Sequence, residues 1–424
     1  MKYFKEFKHP DNPQIPDFSA NILDFGAKEG GEESITDAIC SAIAFCSEKG
    51  GGKVIVPKGK WLCGKIHLKD NIELCVEEGA EVFFSTNPDD YLPVVFTGFE
   101  GIRCYNYSPL IYGRGLKNIA VTGKGVLHGG GEKWWHWKQN DKGINAIYTA
   151  CMNDEPVEGR VYGSEEYGLR PCFLQFVECE NVLIEGVTFK NSPFWTVHPL
   201  WSRNVIVRGI TLDNPRDSHN TDSVNIEGCN TVLVENCTVL GGGDDIYTLK
   251  SGRGTDGWNV GIPCENVEIR NCKAYNAEGS GVAIGSEMSG GVRNIYAHDC
   301  EFNDTFGGMR IKSKKGRGGY VKNIEYRNIK AQKVKYGISI TLKYSYDDKF
   351  AGNGLEAMPD IENIYYENYE CDAPEKSIEI TGVRDCHIKN ISMKNIKMTN
   401  AATGICVECT DNINMENVSI DMRE

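Results

Sequence analysis

This 424-residue sequence predicts an all-β fold: a single-domain, right-handed parallel β-helix over residues 1–424, with an N-terminal capping helix. Three observations carry that expectation. One nine-residue phrase recurs through two thirds of the chain. The phrase alternates apolar and polar residues, the period of a half-buried strand. No copy has enough apolar surface to fold alone, so the copies must stack.

The phrase reads NVLIEGVTF from Asn181, NVIVRGITL from Asn204 and TVLVENCTV from Thr231. It continues as NVEIRNCKA from Asn266, NIYAHDCEF from Asn294 and NIEYRNIKA from Asn323. Further copies are NIYYENYEC from Asn363, NISMKNIKM from Asn390 and NINMENVSI from Asn412. Weaker copies begin upstream at Asn71 and Asn118. Each full copy is two short strands joined five positions after its first residue, at an Asn or Gly and once at Asp299. Asn tolerates the left-handed conformation and turns the chain there. Stacked coils would place Asn over Asn and aliphatic over aliphatic. Leucine-rich repeats need leucines at fixed offsets, which are absent, and a β-sandwich would not keep one phrase through nine copies.

The remaining elements follow in chain order. Residues 1–60 form the N-terminal segment and cap. Within them SITDAICSAIAFCS, residues 34–47, puts Ile35, Ile39, Ile43 and Cys46 on one helical face. Ser34 or Thr36 is the candidate N-cap, and the glycines at 50–52 stop the helix. Residues 129–170 interrupt the repeat. A non-repeating stretch of that length is a functional candidate, here an active-site loop region. Its Trp134, Trp135 and Trp137 either pack onto the barrel or line a sugar pocket. Cys229, Cys237, Cys272 and Cys300 fall at interior ladder positions.

Composition narrows the partners. The net charge of −13 argues against nucleic acid and anionic membranes. No apolar run approaches a membrane span. The seventeen cysteines are scattered, with no CxxC pair, and MKYFKEFKHPDNPQ has no apolar leader core. Reduced thiols in the cytoplasm are the expectation.

The stretch GGGDDIYTLKSG, from Gly241, places two adjacent carboxylates between glycines and a strand. Such a local conflict is expected at functional sites. Asp244 and Asp245 fall late in their repeat, as do Asp222, Gly279 and Ser280, Arg310 and Lys312 in theirs. Stacking should gather these groups on one face across four coils, about 5 Å apart per coil. Three close carboxylates suit glycoside hydrolysis or calcium binding. Arg310 and Lys312 favour the first, because they would compete with a metal and could pair with a substrate carboxylate.

These motifs, in this order on a β-helix repeat, resemble glycoside hydrolase family 28, the polygalacturonases. The carrying residues are Asn220-Thr221-Asp222, Gly243-Asp244-Asp245 with Leu249-Lys250-Ser251-Gly252, and Arg310-Ile311-Lys312. The upstream text, including VIVPKGKWLCGKIHLKDNIELCVEEGA and GKGVLHGGGEKWW, is similar to the exo-acting bacterial branch. The resemblance implies an inverting hydrolase acting on pectic oligosaccharides, with neither cofactor nor metal. It implies Asp244 as general acid, Asp222 and Asp245 as the pair that activates water, and Arg310, Lys312 and Tyr344 as substrate contacts. Where the family has a Gly-His-Gly motif this sequence reads Glu278-Gly279-Ser280-Gly281, and Ser280 or Gly279 replaces the histidine, depending on the gap. Ser280 therefore joins Asn220 and His198 as a candidate substrate contact, His198 as a partial substitute for the missing histidine. Asn220 and His198 have alternative roles, as a turn support and a packed core residue. That departure leaves three activities open: release of terminal galacturonate, hydrolysis of rhamnogalacturonan or decorated pectic fragments, and uronate binding without turnover. A calcium-dependent lyase is the fourth. Oligomeric state is not legible.

Overall fold

The repeating phrase builds the body of the molecule. The computed structural model describes residues 2–3, 7–345 and 356–424. It is a right-handed parallel β-helix, with parallel strands in sheets of twenty and eleven. In the larger sheet, strands pair one onto the next from Ser19–Asn21 to Thr410–Met422. The eleven-stranded sheet runs from Ile66–His67 to Ile405–Glu408. A two-stranded antiparallel hairpin, Val95–Phe99 with Ile102–Asn106, projects beside it.

The Asn positions do what their chemistry predicts. Asn181, Asn204, Asn266, Asn294, Asn323, Asn363, Asn390 and Asn412 all have φ between 54° and 61°. Their amides form a ladder: Asn323 Nδ2 donates to Asn294 Oδ1 at 3.2 Å, and Asn390 Nδ2 to Asn363 Oδ1 at 3.1 Å. A second ladder runs five residues on, where Asn368 donates to Asn328 and Asn395 to Asn368, at 2.9 and 3.0 Å. Each rung thus ties a part-buried or exposed turn to the turn below. Inside, one continuous core extends from Ala20 to Met398. Cys229, Cys237, Cys272 and Cys300 belong to it, as expected of ladder residues.

Helix α1, Thr36–Glu48, lies over the first coil and buries Ala38, Ile39, Ala42, Ile43 and Cys46. The cap differs from expectation. Ile35 occupies the N-cap position and makes no side-chain cap bond. Ser34 Oγ accepts from the Thr36 N–H at 3.3 Å, while Thr36 Oγ1 accepts from Gly64 N–H at 2.6 Å and ties helix to barrel.

The insertion at 129–170 is helical. It holds short 3₁₀ turns and helix α2, Asp141–Met152. Trp134 and Trp137 are buried in the main core, and Trp135 Nε1 donates to Ser192 O at 2.9 Å. The tryptophans are packing residues. Helix α3, Gly254–Val260, follows the strand Tyr247–Lys250 and packs against α2.

Candidate active site

The site forms where three successive rungs of the eleven-stranded sheet begin. Asp222 precedes the strand Val224–Glu227, and the doublet Asp244-Asp245 precedes Tyr247–Lys250. Ser280 opens the next strand, Ser280–Gly285. Backbone bonds align these approaches: Ser223 N–H donates to Asp245 O at 3.1 Å, and Ile246 N–H to Ser280 O at 3.0 Å. The glycines permit the close approach. A Cβ on Gly243 would lie 1.8 Å from Ser218 O, and one on Gly279 would lie 2.1 Å from the Asp244 backbone. Gly242 has room for a side chain.

Arg310 and Lys312 lie two rungs beyond the doublet, on Gly307–Lys312. Register places Arg310 opposite Ala283 and Lys312 opposite Gly285. These short neighbours leave space along the floor. Lys312 Nζ can then reach back to Asp245 Oδ2 at 2.6 Å.

The three aspartates sit in different fields. Burial pushes the Asp222 carboxyl up to about 8, helped by Asp244; Lys250 Nζ, 3.1 Å from its Oδ2, opposes the rise. Asp222 Oδ1 is buried without a hydrogen-bond partner among the described residues. Lys250 also contacts Glu287 at 3.2 Å, and Glu287 meets Arg253 at 2.6 Å. Despite its burial, these cations hold Glu287 well below the usual range. Asp244 is also raised, by burial and then by Asp245. Its Oδ2 accepts from Asn220 Nδ2 at 3.2 Å, and its Oδ1 from the Asp245 N–H at 2.8 Å. Asp245 is lowered: burial alone would raise it, but Lys312 and Arg310 prevail, and Ser280 N–H donates to its Oδ1 at 3.0 Å. One acid thus stays ionised while its two neighbours resist ionisation, an arrangement suited to acid–base work.

Two spaces meet at Asp244. An open cleft of about 690 Å³ runs from Asn220 and Asp244 past Arg310 and Tyr344 to Glu408. A recess of about 60 Å³ lies on the other side, between Asp222, Asp244, Trp195, Glu287 and Tyr148. Its far wall comes from distant segments. Arg253 Nε donates to the Glu100 carbonyl at 3.1 Å, and the guanidinium stands 4.3 Å from the Tyr148 ring of α2. Tyr148 Oη donates to the Glu100 carboxylate.

The predicted residues therefore divide. Asp222, Asp244, Asp245, Asn220, Arg310, Lys312 and Tyr344 come together. Tyr344 is 5.3 Å from Lys312 Nζ, and burial pushes its hydroxyl up to about 12. His198 and Ser280 do not join them as substrate contacts. His198 is fully buried, held by Glu227 at 2.8 Å and Gln175 at 2.9 Å beneath Trp195. The hairpin covers it, through the bond from Gln175 Nε2 to Gly98 O. Ser280 is buried too, and Gly279 lines the cleft in its place.

Sequence reasoning assigned no role to Lys250, Arg253, Glu287, Glu100, Tyr148 and Trp195, which build the recess. It also missed Arg170, at the end of the insertion. Arg170 is buried, which lowers it to about 10, and donates to Asn220 Oδ1 at 2.8 Å and His219 O at 2.6 Å. It fixes the loop that carries Asn220. The acidic and basic letters of SGRG and GSEMSG, beside the quoted motif, were the available signal. Among the described residues no group of three His, Cys, Asp or Glu side chains is arranged to hold a metal ion.

Residues 158–419 match the family described as glycosyl hydrolases family 28. A hyperthermoactive exopolygalacturonase from Thermotoga maritima superposes with a TM-score of 0.91 and 36% identity, over 97% of this chain and 94% of that one. A probable polygalacturonase of Vitis vinifera is 29% identical over 410 residues, 93% of this chain and 77% of the relative. The family 28 exopolygalacturonase of Yersinia enterocolitica shares the fold, with a TM-score of 0.76 at 20% identity, over 96% of this chain and 79% of that one.

Proposed function

The chain belongs to glycosyl hydrolases family 28 and is a glycoside hydrolase of O-glycosidic bonds; from that premise we propose that it releases terminal galacturonate from pectic oligosaccharides with inversion. The observation that carries this reading is the position of Asp244, between an open cleft and a walled recess. The recess is smaller than a hexuronate ring. It would admit the substituents of a terminal sugar whose ring lies at the junction. The exo-acting relative at 36% identity supports the same reading.

In this mechanism Asp244 gives its proton to the glycosidic oxygen as the bond to the anomeric carbon breaks. Water attacks that carbon from the opposite face and loses its proton to Asp245, with Asp222 beside it. The product is a free sugar of inverted configuration, and Asp244 regains its proton from solvent. The Arg310 guanidinium, whose Nε has no hydrogen-bond partner among the described residues, would take the substrate carboxylate.

Gly279 supports a second reading, hydrolysis of a decorated pectic fragment. It lines the open cleft without a side chain, at one of the two positions that replace the family histidine. Product masses from a panel of pectic oligosaccharides separate the two. Monomer from di- and trigalacturonate is expected, and longer fragments alone would defeat exo action. Asp244→Asn should lower kcat by about 10²–10⁴, the usual contribution of a general acid. Unchanged turnover would remove Asp244 from the chemistry.

We also propose a cytoplasmic location, since all seventeen cysteines are free thiols and twelve are buried. Short imported oligosaccharides would be the substrates there, and cell fractionation tests the location.

A further inference from the structure

The insertion that walls the recess also brings a cation to the same end of the cleft. Lys138 lies on the 3₁₀ turn Trp135–Gln139, shortly before α2, and lines the cleft together with His219, Asn220 and Asp244. Its backbone is fixed by its neighbours. Trp135 Nε1 donates to Ser192 O at 2.9 Å, the buried Trp137 ring lies 4.9 Å from that of Trp134, and Asn140 Nδ2 donates to Glu166 O at 2.9 Å. The Lys138 side chain is half-buried. Among the described residues it has neither a hydrogen-bond nor an ion-pair partner.

The other cations around the reacting end are mostly committed. Arg170 donates to Pro193 O, His219 O and Asn220 Oδ1. Lys250 pairs with Asp222 and Glu287, Arg253 with Glu287, and Lys312 with Asp245. Arg310 is like Lys138: it has no carboxylate partner among the described residues, and its Nε is buried without a hydrogen-bond partner there. Strand register sets these two on opposite sides of the acid. Val197, Val224, Tyr247, Val282 and Met309 stack one over the next. Ser192, which anchors the Lys138 turn, precedes the first of these rungs, Asp244 precedes the third, and Arg310 lies on the fifth. At about 4.8 Å per rung, the anchor and Arg310 each stand roughly 10 Å along the solenoid from Asp244.

Resting on the exo reading above, we infer that Lys138 binds the carboxylate of the terminal galacturonate, across the scissile bond from the carboxylate that Arg310 takes. The recess opens on the Lys138 side, where Trp195 and Tyr148 line it, so the terminal sugar belongs there. Digalacturonate carries one carboxylate on each side of the bond, and the cleft offers one uncommitted cation on each side. Such a cation can meet an anion without first breaking an ion pair, and the contact is charge-assisted. One insertion thus closes the cleft and reads the charge of the last sugar, which selects a terminal uronate over a neutral terminal sugar.

The test follows monomer release from digalacturonate and from its two mono-methyl esters, one on the non-reducing residue and one on the reducing residue. In the wild type either ester should lower kcat/KM by about tenfold, the worth of one hydrogen bond to a charged group. In Lys138→Met the penalty for the non-reducing ester should shrink to less than about twofold while the penalty for the reducing ester persists, because only the former shares a contact with the lost ammonium. Lys138→Arg, which keeps the charge, should keep both penalties. If Lys138→Met lowers all three substrates by one factor, or abolishes the penalty for the reducing ester instead, the inference is overturned and the exo reading stands. A wild type indifferent to the non-reducing ester overturns it as well. A wild type that frees no monomer from digalacturonate overturns the exo reading first, and this inference falls with it.

Discussion

Asp222 and Asp245 are one residue type in opposite fields, and the difference should appear in stability. The unfolded carboxyl titrates near about 3.9, whereas burial and Asp244 carry folded Asp222 to about 8. The folded state therefore holds a proton that the unfolded state has lost between those limits. Stability from this group is complete below about pH 4 and declines as pH rises toward 8. Asp222→Asn removes the ionisation and leaves Lys250 paired with Glu287. The variant should be more stable than the wild type by a free energy that grows from pH 4 to pH 8, to on the order of a few kcal/mol at the upper end, read as a widening difference in melting temperature. A constant margin would show that Asp222 is ionised in the fold throughout. Asp245 has the reverse sign, because its lowered carboxyl loses stability as pH falls. That Asp222 and the doublet belong together was legible from their repeat positions. Their opposed fields were not, since Lys250, Glu287 and Lys312 act across different coils. His198 and Ser280 failed for a related reason: an offset gives a residue's rung but not what lies over its side chain.

Within one coil, the turn residue decides how well the strand pair seats on its neighbour. Most copies of the phrase put Asn at the left-handed position, where its short amide both tolerates φ near 55° and continues the ladder. Thr231 breaks the series. It holds φ of 61°, a conformation costly for a β-branched residue. The ladder detours through the preceding residue: Asn266 Nδ2 donates to Asn230 Oδ1 at 3.3 Å, and Thr231 Oγ1 donates to the same oxygen at 2.7 Å. Thr231→Asn should relieve the strain and restore the direct ladder, adding about 1 kcal/mol, read as a higher denaturant midpoint at unchanged slope. A lower midpoint would mean that the Asn230 detour already satisfies the turn. The strands were legible because stacking repeats the same demand at every rung. The helices of the insertion were not, since residues 129–170 occur once and no second copy reveals a pattern. The capping helix was found from its apolar face, yet its cap was misplaced, because Thr36 spends its hydroxyl on Gly64 instead.

At the scale of the molecule, the solenoid supplies a groove open along its length, and whether a chain can thread it depends on what stands at the catalytic end. Three segments far apart in sequence close that end. The hairpin contributes Glu100, α2 contributes Tyr148, and the turn before α3 contributes Arg253, some 153 residues from its partner Glu100. Each packs on the next, Arg253 against the Tyr148 ring and Tyr148 onto Glu100. None belongs to the repeat, so the barrel could be read from sequence while the wall that distinguishes its end could not. If this wall is what confines hydrolysis to the terminal sugar, opening it should change product length before it changes chemistry, because Asp222, Asp244 and Asp245 are held by bonds that do not involve Tyr148. Tyr148→Ala removes the buried ring and enlarges the recess at a core-cavity cost of about 3–5 kcal/mol. Mass analysis of early products from hexagalacturonate should then show di- or trigalacturonate beside the monomer, with the monomer share reduced. If monomer remains the sole product in a folded variant, and kcat and KM are unmoved, the wall is not the stop, and confinement to the chain end must come from the cleft floor.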